Sequence, residues 1–220
     1  MRSPLPVQRR EAALSRQIDY FFSCSSPWSF LGHAPFMEVV RTHKAEVAFF
    51  PVALGAVFAE TGGLPLPQRA PARQRYRLLE LQRWRVKRQV DFHIHPAFWP
   101  FDPKLADQMV IAALQEGMPV ENLLPRLFSG VWQRQENLSN PDVLAAIADE
   151  VGLPGGVLVK AASGEKAAEA YEANRDKAIA ADVFGAPSYV LEGEVFWGQD
   201  RVALLEDALA SGRAPFSSAV

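Results

Sequence analysis

The sequence has a single cysteine, no long apolar run and almost no net charge, and each shortage excludes a class of protein. Cys24 is the only cysteine among 220 residues, so the chain cannot form an internal disulfide or a zinc site built mainly from thiolates. A chain without disulfides fits the reducing cytoplasm. We therefore expect a cytoplasmic protein with no metal site.

The short apolar runs and the balanced charge also argue against membrane and nucleic-acid partners. Apolar residues occur in runs of only a few positions, whereas a helix that spans a bilayer needs roughly 20. The 23 Lys and Arg residues nearly balance the 25 Asp and Glu residues, which gives a net charge of -2. No overall positive field attracts nucleic acid or an acidic membrane, so we expect neither as a partner.

The pattern of apolar and turn-forming residues predicts strands at both ends of the chain and helices between them. A buried strand at 18–22 leads into a helix that begins at Ser26, a good N-cap, with Pro27 at its first position. Pro35 is expected to kink this helix without ending it. The other predicted elements are a strand at 46–51, helices at 72–89, 103–116, 120–135, 142–151 and 165–181, strands at 188–191 and 194–197, and a helix at 199–211.

This order of elements, β-α-β, then a helical block, then β-β-α, predicts an α/β thioredoxin-like domain with a large helical insertion. We expect residues 17–55 and 183–213 to form the thioredoxin-like domain. Residues 56–182 are expected to form the inserted helical domain. Residues 1–16 lack the apolar stretch of a secretory signal, and we expect them to form a polar N-terminal tail.

The junction between the first strand and the first helix reads Ser26-Pro27-Trp28-Ser29, and a second proline turn, Ala186-Pro187, precedes the third strand. In thioredoxin-like folds the first position holds a Cys-x-x-Cys motif and the second a cis-proline loop that faces it. Serine stands here at both cysteine positions, so the site cannot cycle through a disulfide. Cys24 has no partner thiol and is expected to be a core residue at the strand end.

Several segments together resemble the 2-hydroxychromene-2-carboxylate isomerases and the related kappa-class glutathione transferases, within the DsbA-like group of thioredoxin folds. The segments that carry the resemblance are FFSCSSPWSFLG at 21–32, PVALGAVF at 51–58, LQRW at 81–84, FGAP at 184–187 and FWGQDR at 196–201. They extend over nearly the whole chain. The serine junction, the proline turn and the Trp-Gly-x-Asp-Arg pattern in this order are a fairly specific combination.

The resemblance implies that glutathione is the cofactor and that its sulfur lies at the start of the first helix, beside Ser26. A helix N-terminus and a serine hydroxyl both stabilise a thiolate, so Ser26 is the expected catalytic residue. The resemblance also implies that the backbone of Ala186, before Pro187, pairs with the tripeptide. The residues expected to hold its charged end are Gln199, Asp200 and Arg201. Read without the resemblance, Asp200 caps the last helix and Arg201 is a solvated surface charge.

At four positions the chain departs from the pattern usual in this family. Ser23 stands where Asp is usual, Ala59 where Lys is usual, and Gly63 and Asp102 where Asn is usual. A glycine offers no side-chain contact to a ligand, and the other changes alter the charge around the cleft. The resemblance therefore does not fix the substrate of this chain.

Two other groups of residues have both a structural and a functional interpretation. The arginine-rich helix at 72–89 is either a solvated face or a surface that draws an anionic substrate to the cleft. A set of large apolar side chains either packs in the core or lines an aromatic pocket: Phe98, Trp99, Phe101, Met109 and Trp132. The expected function is a glutathione-dependent isomerase of an aromatic-catabolism intermediate such as 2-hydroxychromene-2-carboxylate, which makes a small aromatic carboxylate the expected substrate. The resemblance also implies a homodimer. The alternatives are a kappa-class-like transferase and a non-catalytic thioredoxin-like binding module.

Overall fold

A computed structural model describes residues 16–218 of the protein. The predicted tail therefore lies, except for Arg16, outside the described residues. Along the chain the elements are β1 (Gln17–Phe22), α1 (Pro27–His43), β2 (Glu46–Pro51), α2 (Leu54–Thr61), a short 3₁₀ turn (Leu66–Gln68), α3 (Pro71–Arg88), α4 (Lys104–Gln115), α5 (Leu123–Trp132), α6 (Pro141–Glu150), α7 (Gly155–Ala162), α8 (Glu165–Ala180), β3 (Ser188–Leu191), β4 (Glu194–Trp197) and α9 (Val202–Ser211).

The four strands form one mixed sheet in the order β2-β1-β3-β4. β1 and β2 are parallel and are joined through α1, with Ile18 opposite Val47. β3 returns antiparallel to β1, with Tyr189 opposite Tyr20, and β4 pairs antiparallel with β3. The predicted β-α-β unit at the start, the β-β-α unit at the end and the α/β class are confirmed. Both ends of the chain thus contribute to one sheet.

The bounds of most elements agree with those predicted, and the differences have local causes. α1 continues through Pro35 to His43. Neither α2 nor α7 was predicted as a separate helix; α7 starts at two glycines, which disfavour helix. α9 begins only at Val202, with Arg201 as its N-cap, because Gly198 adopts a φ of 113° and turns the chain before the helix. In residues 16–218 no helix is both long and apolar enough to cross a membrane.

One large hydrophobic cluster joins the sheet to the helices that follow β2. On the sheet side the centre of the Tyr20 ring lies 4.8 Å from the centre of the Phe36 ring and 5.3 Å from that of the Tyr189 ring. Met109 of α4 and Trp132 of α5 belong to the same cluster and are fully buried. The helical segment therefore shares its core with the sheet. The division into domains at 17–55 with 183–213 and at 56–182 stays a prediction.

α1 approaches the segment after β4 so closely that only glycine fits at position 32. A Cβ at Gly32 would lie 2.7 Å from the Tyr189 hydroxyl oxygen and 2.9 Å from Cβ of Gln199. Both distances are well below van der Waals contact. Gly32 thus sets the spacing between α1 and the chain that leads into α9.

We expect Gly32→Ala to lower the free energy of unfolding by about 1–3 kcal/mol, as overpacking of a core usually does. The matched control is Gly55→Ala in α2, where an added Cβ would meet no atom within 4 Å. Alanine is the better helix former by about 1 kcal/mol, so this control should be neutral or stabilising. Denaturant unfolding of both variants measures the difference, and equal effects would contradict the close approach.

Candidate functional site

Ser26 ends the turn after β1 and starts α1. Its Oγ accepts a hydrogen bond of 3.2 Å from the Ser29 N–H, and its own N–H donates to the Ser23 carbonyl at 3.0 Å. This is the predicted N-cap, and Pro27 occupies the first helical position. The first turn of α1 contains no acidic residue, whereas its last turn holds Arg41 and His43. The positive end of the helix dipole therefore lacks a negative side chain in its own first turn.

The Ser26 hydroxyl also reaches the predicted proline turn. The Ala186–Pro187 peptide bond is cis. The Ser26 hydroxyl donates a long hydrogen bond of 3.4 Å to the Ala186 carbonyl, across 160 residues of chain. The Trp28 N–H finds no acceptor among residues 16–218. At the start of α1 the Ser26 hydroxyl is thus only weakly engaged as a donor, and the Trp28 amide is available to a ligand.

A cavity of about 540 Å³ opens at this junction. Among its lining residues are five of the six predicted site residues: Ser26, Ala186, Gln199, Asp200 and Arg201. The sixth, Pro187, is not part of the lining and lies next in the chain to Ala186. The start of α1, the proline turn and the segment before α9 therefore form one wall, and α2 and α3 provide the other.

The segment before α9 is anchored from α3. The Arg88 Nη2 donates to the carbonyl and to the Oε1 of Gln199, both at 3.2 Å, and Gln199 is only 3 % exposed. Asp200 and Arg201 form an ion pair of 2.6 Å. Among the described residues no side chain caps α9, whose N-cap is Arg201, so the interpretation of Asp200 as the helix cap is wrong. The preceding turn instead presents both charged side chains to the cavity.

A buried carboxylate that sequence reasoning missed lies beneath the serine junction. Asp107 of α4 is fully buried and accepts three hydrogen bonds, from the Cys24 N–H at 2.7 Å, the Ser23 hydroxyl at 3.0 Å and the Tyr171 hydroxyl at 2.9 Å. Burial raises the pKa of Asp107 to about 6, although these hydrogen bonds oppose the shift. The signal in the sequence was one acidic residue inside the apolar run of α4.

This carboxylate connects the interior to the cavity wall. The Ser23 Oγ lies 3.1 Å from the Ser25 Oγ, and Ser25 lines the cavity. Cys24 points into the core, where burial first and Asp107 second raise the pKa of its thiol. The thiol therefore stays protonated, and the prediction that Cys24 is a core residue is confirmed.

The arginine-rich helix and the aromatic loop each contribute part of the cavity. Arg77 is 8 % exposed and lines the cavity, as does Trp99. Met109 and Trp132 are core residues, and Phe98 is exposed. Of the five predicted pocket residues, only Trp99 therefore borders this cavity.

Three of the positions that depart from the family pattern lie outside the cavity lining. Ala59, Gly63 and Asp102 do not line the cavity. A Cβ at Gly63 would lie 2.4 Å from the Phe58 ring, so a larger residue there requires Phe58 to move. Asp102 accepts a hydrogen bond from the Lys104 N–H at 3.0 Å. Within the described part of the chain, no group of three or more His, Cys, Asp or Glu side chains has the arrangement of a metal site.

Comparison with known proteins places the chain among thioredoxin folds. Residues 17–210 match the family described as DSBA-like thioredoxin domain. The 2-hydroxychromene-2-carboxylate isomerase of Sphingobium xenophagum is 23 % identical over 198 residues, which cover 89 % of this chain and 99 % of the isomerase. Human glutathione S-transferase kappa 1 is 23 % identical over 209 residues, 89 % of this chain and 92 % of the transferase.

Solved structures show the same fold. A structure of 2-hydroxychromene-2-carboxylate isomerase is 22 % identical, with a TM-score of 0.74 over 89 % of this chain and 95 % of its own. The cytosolic disulfide reductase DsbM of Pseudomonas aeruginosa, solved with GSH, is 17 % identical, with a TM-score of 0.61 over 88 % of this chain and 99 % of its own. The predicted resemblance and the thioredoxin-like fold with a helical insertion are confirmed.

The buried carboxylate generates a pH prediction for stability. Folded Asp107 holds its proton up to about pH 6, whereas an unfolded chain releases it near pH 4. Stability from this group is therefore complete below about pH 4 and is lost as the pH rises to about 6. Asn at this position keeps the acceptor for the Cys24 N–H, and the hydroxyls of Ser23 and Tyr171 turn to accept from its amide.

We expect the free energy of unfolding of the wild type to fall relative to Asp107→Asn by about 2 kcal/mol between pH 4 and pH 6. Denaturant titrations at several pH values measure this difference. The control is Glu121→Gln, which removes an exposed carboxylate. Parallel stability curves for the wild type and Asp107→Asn would show that Asp107 ionises normally.

Proposed function

The chain belongs to the DSBA-like thioredoxin domain family, and from this premise we propose that it is a glutathione-dependent isomerase of an aromatic-catabolism intermediate such as 2-hydroxychromene-2-carboxylate. The observation that carries the proposal is the Ser26 hydroxyl at the start of α1, opposite Ala186 in a cavity. The two curated relatives named above are an isomerase and a transferase of similar length. Enzymatic activity is therefore the better supported class.

The residues at the start of α1 suit a thiolate that comes from outside the protein. A free thiol with a pKa of about 8.5 is only roughly 3 % ionised at pH 7. A hydroxyl donor from Ser26, the Trp28 N–H and the positive end of α1 all favour the charged form. A lowering of about two pKa units makes the thiolate the major species, which corresponds to about 2.7 kcal/mol. We infer that Ser26 activates the sulfur of bound glutathione.

The remaining cavity residues fit a tripeptide with two charged ends. The resemblance supports pairing of the extended tripeptide with the backbone of Ala186, which lines the cavity next to the cis Pro187. Asp200 suits an ammonium group and Arg201 a carboxylate, and Gln199 lies between them and α3. When bound, glutathione supplies a thiolate that adds reversibly to an unsaturated substrate, allows rotation about the resulting single bond and leaves.

A small aromatic carboxylate is the substrate class that goes with this proposal. The aromatic side chains in the cavity wall, among them Trp28, Trp84 and Trp99, exclude water from the reacting atoms. A cytoplasmic location is part of the same proposal, since the single cysteine is a buried free thiol. A homodimer is proposed from the resemblance alone.

A second candidate is a transferase that joins glutathione permanently to an electrophile, and the similarity to the human kappa enzyme favours it. Both activities use the same thiolate, so the site residues do not separate them. Product analysis does, because the isomerase releases an isomer free of glutathione and the transferase releases a conjugate. Calorimetry with glutathione tests a third outcome, since absence of saturable binding would leave a non-catalytic module.

We expect Ser26→Ala to lower the turnover rate by roughly 10- to 1000-fold, the range for loss of one charge-stabilising donor. It should also raise the pKa of bound glutathione, which the ultraviolet absorbance of the thiolate reports. Ser26 also caps α1, so the variant loses about 1 kcal/mol of stability.

The matched control for the lost cap is Asn140→Ala. Asn140 caps α6 by accepting a 2.8 Å hydrogen bond from the Asp142 N–H, and it does not line the cavity. This variant should lose similar stability and keep its turnover rate. An unchanged rate in Ser26→Ala would remove Ser26 from the mechanism.

A further inference from the structure

The guanidinium of Arg77 is buried at the cavity without an anionic partner in the described part of the chain. The residue is 8 % exposed and lines the cavity, yet its Nη2 has no hydrogen-bond partner among the described residues. No ion pair formed within residues 16–218 includes Arg77. Buried charges in proteins are almost always paired, because an unpaired one has lost its hydration without compensation. An anionic ligand in the cavity would supply the partner that this cation lacks.

The Arg77 side chain remains charged at neutral pH in spite of its burial. Burial, with a smaller contribution from Arg69, lowers the pKa of Arg77 to about 10. The guanidinium therefore keeps its proton at pH 7. The protein retains a positive charge here that no side chain of residues 16–218 neutralises by an ion pair.

The other charges around the cavity do not supply the missing anion. The two carboxylates in its lining already have partners, Glu80 with Arg83 and Asp200 with Arg201. Arg69 also lines the cavity, where its Nε donates to the Leu64 carbonyl at 2.7 Å. It forms no ion pair within the described chain. Arg69 and Arg77 thus leave a local excess of positive charge.

Trp99 connects Arg77 to the serine junction. The guanidinium carbon of Arg77 lies 4.8 Å from the centre of the Trp99 ring. The indole Nε1 of Trp99 donates a 3.0 Å hydrogen bond to the Ser25 carbonyl, beside Ser26. Stacking on an aromatic face leaves the edge of a guanidinium open for a carboxylate. The cation is therefore oriented beside the site proposed for the sulfur.

We propose that Arg77, held on Trp99, is the residue that binds a carboxylate group of the ligand in this cavity, with Arg69 as a second positive charge. The inference rests on the proposed function and assigns a subsite within it. The carboxylate has two possible sources, the aromatic substrate and the glycine end of glutathione. Both have the same chemistry, and the experiment distinguishes them.

The test compares Arg77→Met with Arg75→Met by calorimetry. Arg75 is an exposed arginine on the same helix that does not line the cavity, so its variant removes the same charge elsewhere. The first pair of probes is 2-hydroxycinnamate and its amide, which differ in the carboxylate. The second pair is glutathione and its glycine ethyl ester. Arg77→Lys is a further variant that keeps the charge without the planar fork.

We expect the wild type and Arg75→Met to bind 2-hydroxycinnamate about 10- to 100-fold more tightly than its amide, the range for a charged hydrogen bond. Arg77→Met should lose this preference and Arg77→Lys should keep part of it, while glutathione binding changes less than about twofold. If glutathione instead loses affinity in Arg77→Met, and its ester binds the wild type equally weakly, the subsite holds the tripeptide carboxylate.

The inference is overturned if Arg77→Met leaves the affinities for both acids within about twofold of the wild type, or if the wild type does not prefer either acid. Thermal unfolding of the free variant shows that a loss of binding is not a loss of fold. A wild type that binds no glutathione would overturn the proposed function. The comparison of acid with amide would then still decide on Arg77.

Discussion

The buried carboxylate of Asp107 holds the turn from which the candidate site is built. Its two oxygens accept from the Ser23 hydroxyl, the Cys24 N–H and the Tyr171 hydroxyl, so α4 and α8 of the helical segment are tied to the end of β1. A buried carboxylate is costly unless it is well hydrogen-bonded, and once bonded it permits little movement. The start of α1, and with it the Ser26 hydroxyl, depends on this anchor.

The chemistry of the cavity follows from what stands in the places of the two redox cysteines of related folds. Serine at 26 and 29 removes the dithiol but keeps the helix start that stabilises an anion. The same end of the molecule carries Arg77 and Arg69, whose charges no side chain in the described chain neutralises. A negative sulfur near Ser26 and a negative carboxylate near Arg77 would therefore both be stabilised there. The hydrogen bond from Trp99 to the Ser25 carbonyl connects the two positions.

Sequence reasoning succeeded where the signal was local. The Ser26 cap with Pro27 after it and the bounds of β2 could be predicted, because capping and alternation depend on neighbouring residues. It failed where helix formers were weak, as at α7, and where a glycine turn delayed α9. Asp107 was missed because a lone acidic residue in an apolar helix acquires meaning only from the three donors around it.

The sequence by itself determined the chemistry of the junction, since hydroxyls in place of thiols exclude disulfide exchange in any fold. It also determined the β-α-β and β-β-α units at the two ends of the chain and hence the class of fold. Only the tertiary structure decided which charges are buried and what they face. Arg77 is one of many arginines along α3 in the sequence, and Asp107 lies 84 residues from Ser23. The cost of burying a charge depends on every group packed around it, so these residues became distinct only once the chain had folded.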